Sequence, residues 1–172
     1  MPKIRLLVVM FTLLISFIGC SSTRDVNYLE GRNEKVNLDG YKTYAPLLKA
    51  GFLVDSQGTW VPRGMDMDSE IQYLTKKELD KKGKQQVVEN PDFYVSYVVG
   101  VDMDKIKAKV DKKDRLIISS IPSNSLAIVF VDAVTNQLIW ISTAEGEVKQ
   151  DLSNEKVKKR IGKVIHKMFS SL

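Results

Sequence analysis

Two runs in the second half of the chain, Leu126-Ala-Ile-Val-Phe-Val131 and Leu138-Ile-Trp-Ile141, are apolar at odd and even positions alike. A strand with one wet face alternates apolar and polar residues, so strands of this kind belong inside a sheet with both faces covered. Residues Asp132 to Asn136, with Gln137 just beyond, give a hairpin-length connection in which Asn136 can take left-handed backbone cheaply. Upstream, Pro91-Asp92 opens a further strand, Phe93 to Val101, where Phe93, Val95, Tyr97, Val99 and Val101 alternate with Tyr94, Ser96, Val98 and Gly100. One face of this sheet is expected to lie under helices. The other calls for cover from the 41–62 segment, with Leu47, Leu48, Phe52 and Trp60, or else from a lipid, a ligand or a partner protein.

Two helices fit the remaining periodicity. Residues 66–82 place Met67, Ile71 and Leu74 on one face, with Asp66 or Asp68 as N-cap and Gly83 as stop, although Glu78 interrupts that face. Residues 154–169 repeat Val157, Ile161, Val164, Ile165 and Met168 on one broad stripe, with Ser153 as candidate N-cap and Lys156, Arg160, Lys163 and Lys167 on a separate stripe. Short β-prone pieces lie at Tyr41–Ala45, and at Phe52-Leu-Val with Thr59-Trp-Val across Ser56-Gln-Gly58. The fold class these elements define is α+β, a small antiparallel sheet with two helices packed on one face. A length of 172 residues, 44% of them hydrophobic and 27% charged, suits one compact domain, assigned to 38–172.

The N-terminus carries an address. Lys3 and Arg5 precede an apolar run, residues 6–18, which ends at Gly19-Cys20. That is the layout of a secretory signal, and 13 residues fall short of the roughly 20 that span a bilayer. Cys20 is the only cysteine. Its place directly after Gly19 resembles the bacterial lipobox, although Phe17 and Ile18 depart from the commonest form of that motif. The expectation is therefore a signal peptide over 1–19, cleavage between Gly19 and Cys20, lipid on the Cys20 sulfur, and a flexible tether over 20–37. The absence of Asp directly after Cys20 leans, by resemblance to sorting rules, toward an outer membrane. Removing Lys3 and Arg5 lowers the formal net charge from +5 to +3, a mild excess that by itself implies no nucleic-acid partner.

Most catalytic chemistry finds no foothold. With a single cysteine the chain forms no internal disulfide and no paired-cysteine zinc site. His166, the one histidine, falls nearly opposite the apolar stripe of its helix and reads as a surface residue rather than a general base. Asp66-Met-Asp-Ser-Glu70 and Asp102-Met-Asp104 begin like calcium loops, but positions six and twelve hold Ile71 and Lys77, or Lys107 and Lys113, where Gly and Glu are needed. Residues 104–115 alternate lysines with Ile106, Ala108 and Val110 before the turn-like Asp111-Lys-Lys-Asp114, as in a lysine-guarded edge hairpin. Trp140, between Ile139 and Ile141, is expected in the core. No metal, cofactor or catalytic residue is assigned.

Three segments, Gly40-Tyr-Lys-Thr-Tyr-Ala45, Pro91-Asp-Phe-Tyr-Val-Ser-Tyr97 and Val131-Asp-Ala-Val-Thr-Asn-Gln-Leu-Ile-Trp140, are followed by a C-terminal amphipathic helix. Together they resemble the bacterial lipoprotein family known as domain of unknown function 4136, over most of residues 38–170. Pro46, where an aromatic commonly follows the first motif, and the charged insert 102–124 depart from it. The resemblance implies a small periplasm-facing or surface lipoprotein domain and transfers no catalytic residue. The functional expectation is a lipid-anchored, non-catalytic envelope module, held to the membrane through its N-terminal lipid, that binds an envelope protein or lipid partner. The competing expectation is a hydrolase of an envelope polymer working through carboxylates such as Asp92, Asp132 or Glu145.

Overall fold

The computed structural model describes residues 23–54, 65–100, 108–110, 116–118, 125–146 and 151–172. Among these, eight strands and two helices follow one another as β1 (Asn27–Arg32), β2 (Thr43–Val54), α1 (Met67–Lys81), β3 (Gln85–Gln86), β4 (Phe93–Gly100), β5 (Ala108–Val110), β6 (Leu116–Ile118), β7 (Ser125–Asp132), β8 (Leu138–Glu145) and α2 (Asn154–Met168). They form one sheet in the order β3-β2-β4-β7-β8-β6-β5, and β1 also pairs with β8.

The sheet is mixed, not purely antiparallel, and larger than the sequence suggests. β4, β7 and β8 are antiparallel neighbours as expected, whereas β2 runs parallel to β3 and to β4. The cause is α1, which connects β2 to β4 and carries the chain back to its starting end, so the two strands must point the same way. Residues 43–54 thus lie in the sheet as one strand instead of covering its face, with a register shift between Pro46 and Gly51. The rest of the proposed cover, residues 55–62, lies outside the described residues. Residues 27–32, assigned from sequence to a flexible tether, are a strand: Asn27 through Arg32 pair with Glu145 back to Trp140. The charged insert contributes the expected edge hairpin, β5 against β6, which meets β8 at Leu138.

Both helices bury the faces their patterns require, and α1 is capped as expected. The Asp66 side chain accepts the Ser69 N–H at 3.0 Å, and Gly83, at φ 70°, ends α1 with its own N–H on Asp80 O and the Lys84 N–H on Leu79 O. Ser153 occupies the N-cap of α2 but makes no side-chain cap hydrogen bond. Met67, Ile71, Thr75 and Leu79 bury one face of α1, and Val164, Ile165 and Met168 bury that of α2. The helices run parallel and in step: Lys158 pairs with Glu70, Gly162 packs on Leu74, and His166 meets Glu78, each contact one turn beyond the last. His166 is exposed as expected, yet its Nδ1 lies 3.1 Å from Glu78 Oε2. Glu78, the residue that breaks the apolar pattern of α1, is buried and bonded to both His166 and Lys81.

Between helices and sheet runs a row of rings. Tyr44 packs on Phe93 at 5.8 Å, Phe93 on Phe130 at 4.8 Å, and Phe130 on Trp140 at 4.4 Å, while Phe169 closes on the last two. Trp140 is 0% exposed, and its Nε1 donates to Glu30 Oε1 at 2.9 Å, which fastens β1 to β8. A register shift beside Trp140 turns Ile139 into this core as well, as in a β-bulge. On the opposite face Val129 and Ile141 form a second, smaller buried cluster with Leu138 against it. The centre of that face is therefore closed, as two-sided apolar strands require.

Candidate functional site

The three sequence segments that carry the resemblance meet at one end of the sheet. Gly40 and Tyr41 come from the turn before β2, Asn90 to Asp92 and Tyr94 from the start of β4, and Asp132 to Val134 from the β7–β8 turn. They line a cleft of about 550 Å³. Tyr41 extends the aromatic row outward, with its ring edge-on to Phe93 at 6.0 Å and its hydroxyl donating to Asp132 Oδ2 at 2.5 Å.

Each acid of the cleft is a clamp. Asp92 Oδ2 accepts the backbone N–H groups of Lys42 and Thr43, both at 2.7 Å, and the Asp92 N–H in turn reaches Thr43 O. This ties the start of β2 to the start of β4. Asp132 Oδ1 accepts from Val134 N, Thr135 N and Thr135 Oγ1, which fixes the turn where Asn136 has φ 55°. The amide hydrogen bonds from Thr43 and Lys42 hold the Asp92 carboxyl below its ordinary range. Burial alone would raise Asp132, but hydrogen bonds from Tyr41, Thr135 and Val134 outweigh it and lower that group too. Burial and the bond to Asp132 push the Tyr41 hydroxyl up to about 12.

Lys84, which sequence reasoning passed over, props the same corner. It is buried, and its Nζ donates to Leu38 O at 2.7 Å and Tyr41 O at 2.6 Å; burial draws its pKa below that of an ordinary lysine. Only its position one residue after a helix-stopping glycine could have marked it.

The candidate carboxylates separate into two groups. Asp92 and Asp132 share the cleft, whereas Glu145 pairs with Asn27 and Ser125 at the far end of the sheet. Seven strand steps from Leu138 to Glu145 amount to roughly 23 Å. A two-carboxylate hydrolase needs one acid still protonated near neutral pH, and the cleft lowers both of its acids. Among the described residues no cluster of His, Cys, Asp or Glu is placed to hold a metal ion. Asp66 and Asp68 serve α1 by capping Ser69 and bonding Gln72, while Asp102 and Asp104 lie outside the described residues. Cys20 and Gly19 also lie outside them.

A mixed sheet with two parallel helices on one face, and three converging segments at its end, defines an α+β domain built around a cleft of tyrosines and clamped carboxylates. The chain belongs to the family described as domain of unknown function (DUF4136), whose model matches residues 30–172. Among solved structures it is similar to a DUF4136 family protein from Bacteroides thetaiotaomicron, at 10% identity and a TM-score of 0.60, over 86% of this chain and 95% of that one. It is also similar to the PelC dodecamer from Paraburkholderia phytofirmans, at 9% identity and a TM-score of 0.50, over 84% of this chain and 95% of that one. At such identities the likeness concerns the fold. No curated protein matches the chain.

Proposed function

We propose that this protein is a non-catalytic binding or structural module of the bacterial cell envelope, anchored by lipid on Cys20 and facing the periplasm or the surface from an outer membrane. The address rests on the basic start, the short apolar run and the lone cysteine after Gly19. Several acyl chains hold such a domain firmly, at about 0.8 kcal/mol per buried CH₂. Membership of the family fits this reading.

The observation that favours binding over catalysis is the state of the cleft acids. Both are held below the ordinary carboxylate range by the hydrogen bonds they accept, and both are engaged in holding the turns that build the cleft. They leave the cleft negative and flanked by two tyrosines, Tyr41 and Tyr94. Ligands that donate hydrogen bonds, such as polyhydroxylated or amine-bearing envelope components, suit that lining. No described helix is long and apolar enough to cross a membrane.

The test is a Cys20→Ser variant expressed in a bacterium with lipoprotein processing, followed by membrane fractionation with salt and carbonate washes. The parent chain should stay with the membrane and the variant should leave it. Retention of the variant after both washes refutes lipid anchoring.

A further inference from the structure

The fold starts almost at the anchor. Val26 N–H already bonds Thr23 O at 3.1 Å, in a turn only three residues beyond Cys20. Two residues further on, Asp25 is gripped by Arg160 of α2 through both carboxylate oxygens, Nη1 to Oδ1 at 3.0 Å and Nη2 to Oδ2 at 2.5 Å. Arg160, expected on a solvated basic stripe, is in fact 8% exposed. The segment packs closely over Gly146: a Cβ there would stand 3.0 Å from the Val26 side chain, a tight contact, and 3.5 Å from Asp25 O. From Asn27 onward β1 is held by its ladder to β8.

These contacts fix a direction. Asn27, Ser125, Glu145 and the first turns of both helices lie at one end of the sheet, since β1 and β7 begin there and β8 finishes there. Tyr41, Asp92 and Asp132 lie at the other. Three residues of chain reach at most about 10 Å even when fully extended. Seven strand steps add roughly 23 Å.

We infer that the domain stands on the membrane by its Asp25 end and presents the Tyr41–Asp132 cleft away from the bilayer. This rests on lipid anchoring at Cys20. The Asp25–Arg160 clamp keeps the leash short: without it only the Thr23 turn and the Val26–Gly146 contact hold the stretch before Asn27, and once these open seven residues reach about 24 Å, enough for the domain to roll and bring either end to the surface.

A depth measurement on the full lipidated protein tests this. Glu145→Cys and Val134→Cys, both exposed sites at opposite ends, are each labelled with a fluorophore. Each protein is then reconstituted in vesicles of phosphatidylethanolamine and phosphatidylglycerol carrying a headgroup-linked quencher. Quenching should be severalfold stronger at 145 than at 134. Arg160→Ala, and separately Asp25→Ala, which leaves the helix packing untouched, should shrink that ratio toward one while the protein stays bound. A membrane-bound, lipid-bearing parent with equal or reversed quenching overturns the orientation alone. An unmodified Cys20, seen by mass spectrometry of the same sample, overturns the anchoring and the orientation with it. A ratio unchanged in both clamp variants overturns the role given to the ion pair.

Discussion

Asp132 Oδ1 takes two backbone amides and a hydroxyl while Oδ2 takes the Tyr41 phenol, so this carboxylate, with Asp92 beside it, works as a scaffold part. Both groups have folded pKa values below the unfolded value of 3.8. Stability from a depressed carboxylate is fully present above the unfolded pKa and is lost as pH falls through the folded one. Unfolding midpoints should therefore hold steady down to about pH 4 and then fall. In Asp132→Asn that acid-dependent fall should be shallower than in the parent; an identical pH profile would show that Asp132 contributes nothing through its charge. Lys84 yields a second test. Lys84→Met removes the donor to two carbonyls and should cost about 1–3 kcal/mol in urea unfolding, with the turn at Leu38–Tyr41 loosened. No loss would mean that water replaces the ammonium without penalty.

At the scale of elements, legibility followed local period. Strands β4, β7 and β8 and both helices announced themselves because alternation, an unbroken apolar run or a 3.6-residue stripe is written within ten or fifteen consecutive positions. Asn136 and Gly83 were readable for a related reason: each supplies the left-handed backbone that its turn or helix stop requires. β1 was not legible, since Asn27-Tyr-Leu-Glu-Gly-Arg32 is mostly exposed and owes its place to partners far along the chain, Trp140 on Glu30 and Arg160 on Asp25. β2 was missed as a single parallel strand because Pro46 and Gly51 break its pattern into short pieces. The cleft was half legible: its two acids were singled out as candidates, but tyrosines from separate segments meet only in the fold. Gly162 offers a prediction at this scale. It sits within α2, and a Cβ there meets only Leu74 Cδ2, at an ordinary 3.6 Å. Gly162→Ala should then stabilise the domain by about 0.5–1 kcal/mol through reduced chain entropy. A lower urea midpoint would show that the parallel helix seam is tighter than described. Trp140→Ala, in contrast, should cost about 3–5 kcal/mol and free the edge held by β1.

The molecule as a whole is polar along its strands. One end receives the N-terminal segment and both helix starts, and the other gathers the three segments shared with the family around a negatively charged cleft. In a lipid-anchored protein this polarity separates attachment from recognition by the length of the sheet. It also accounts for a buried arginine on a helix whose other basic residues, Lys163 aside, are exposed, since Arg160 links the N-terminal segment to the body. All of this depends on what Cys20 carries. The intact mass of the protein extracted from membranes by detergent decides it most directly. The account predicts a chain beginning at Cys20 with the added mass of a diacylglyceryl group, with or without a further acyl chain on the amine; a membrane-extracted chain with an unmodified Cys20, or one that still retains residues 1–19, contradicts it.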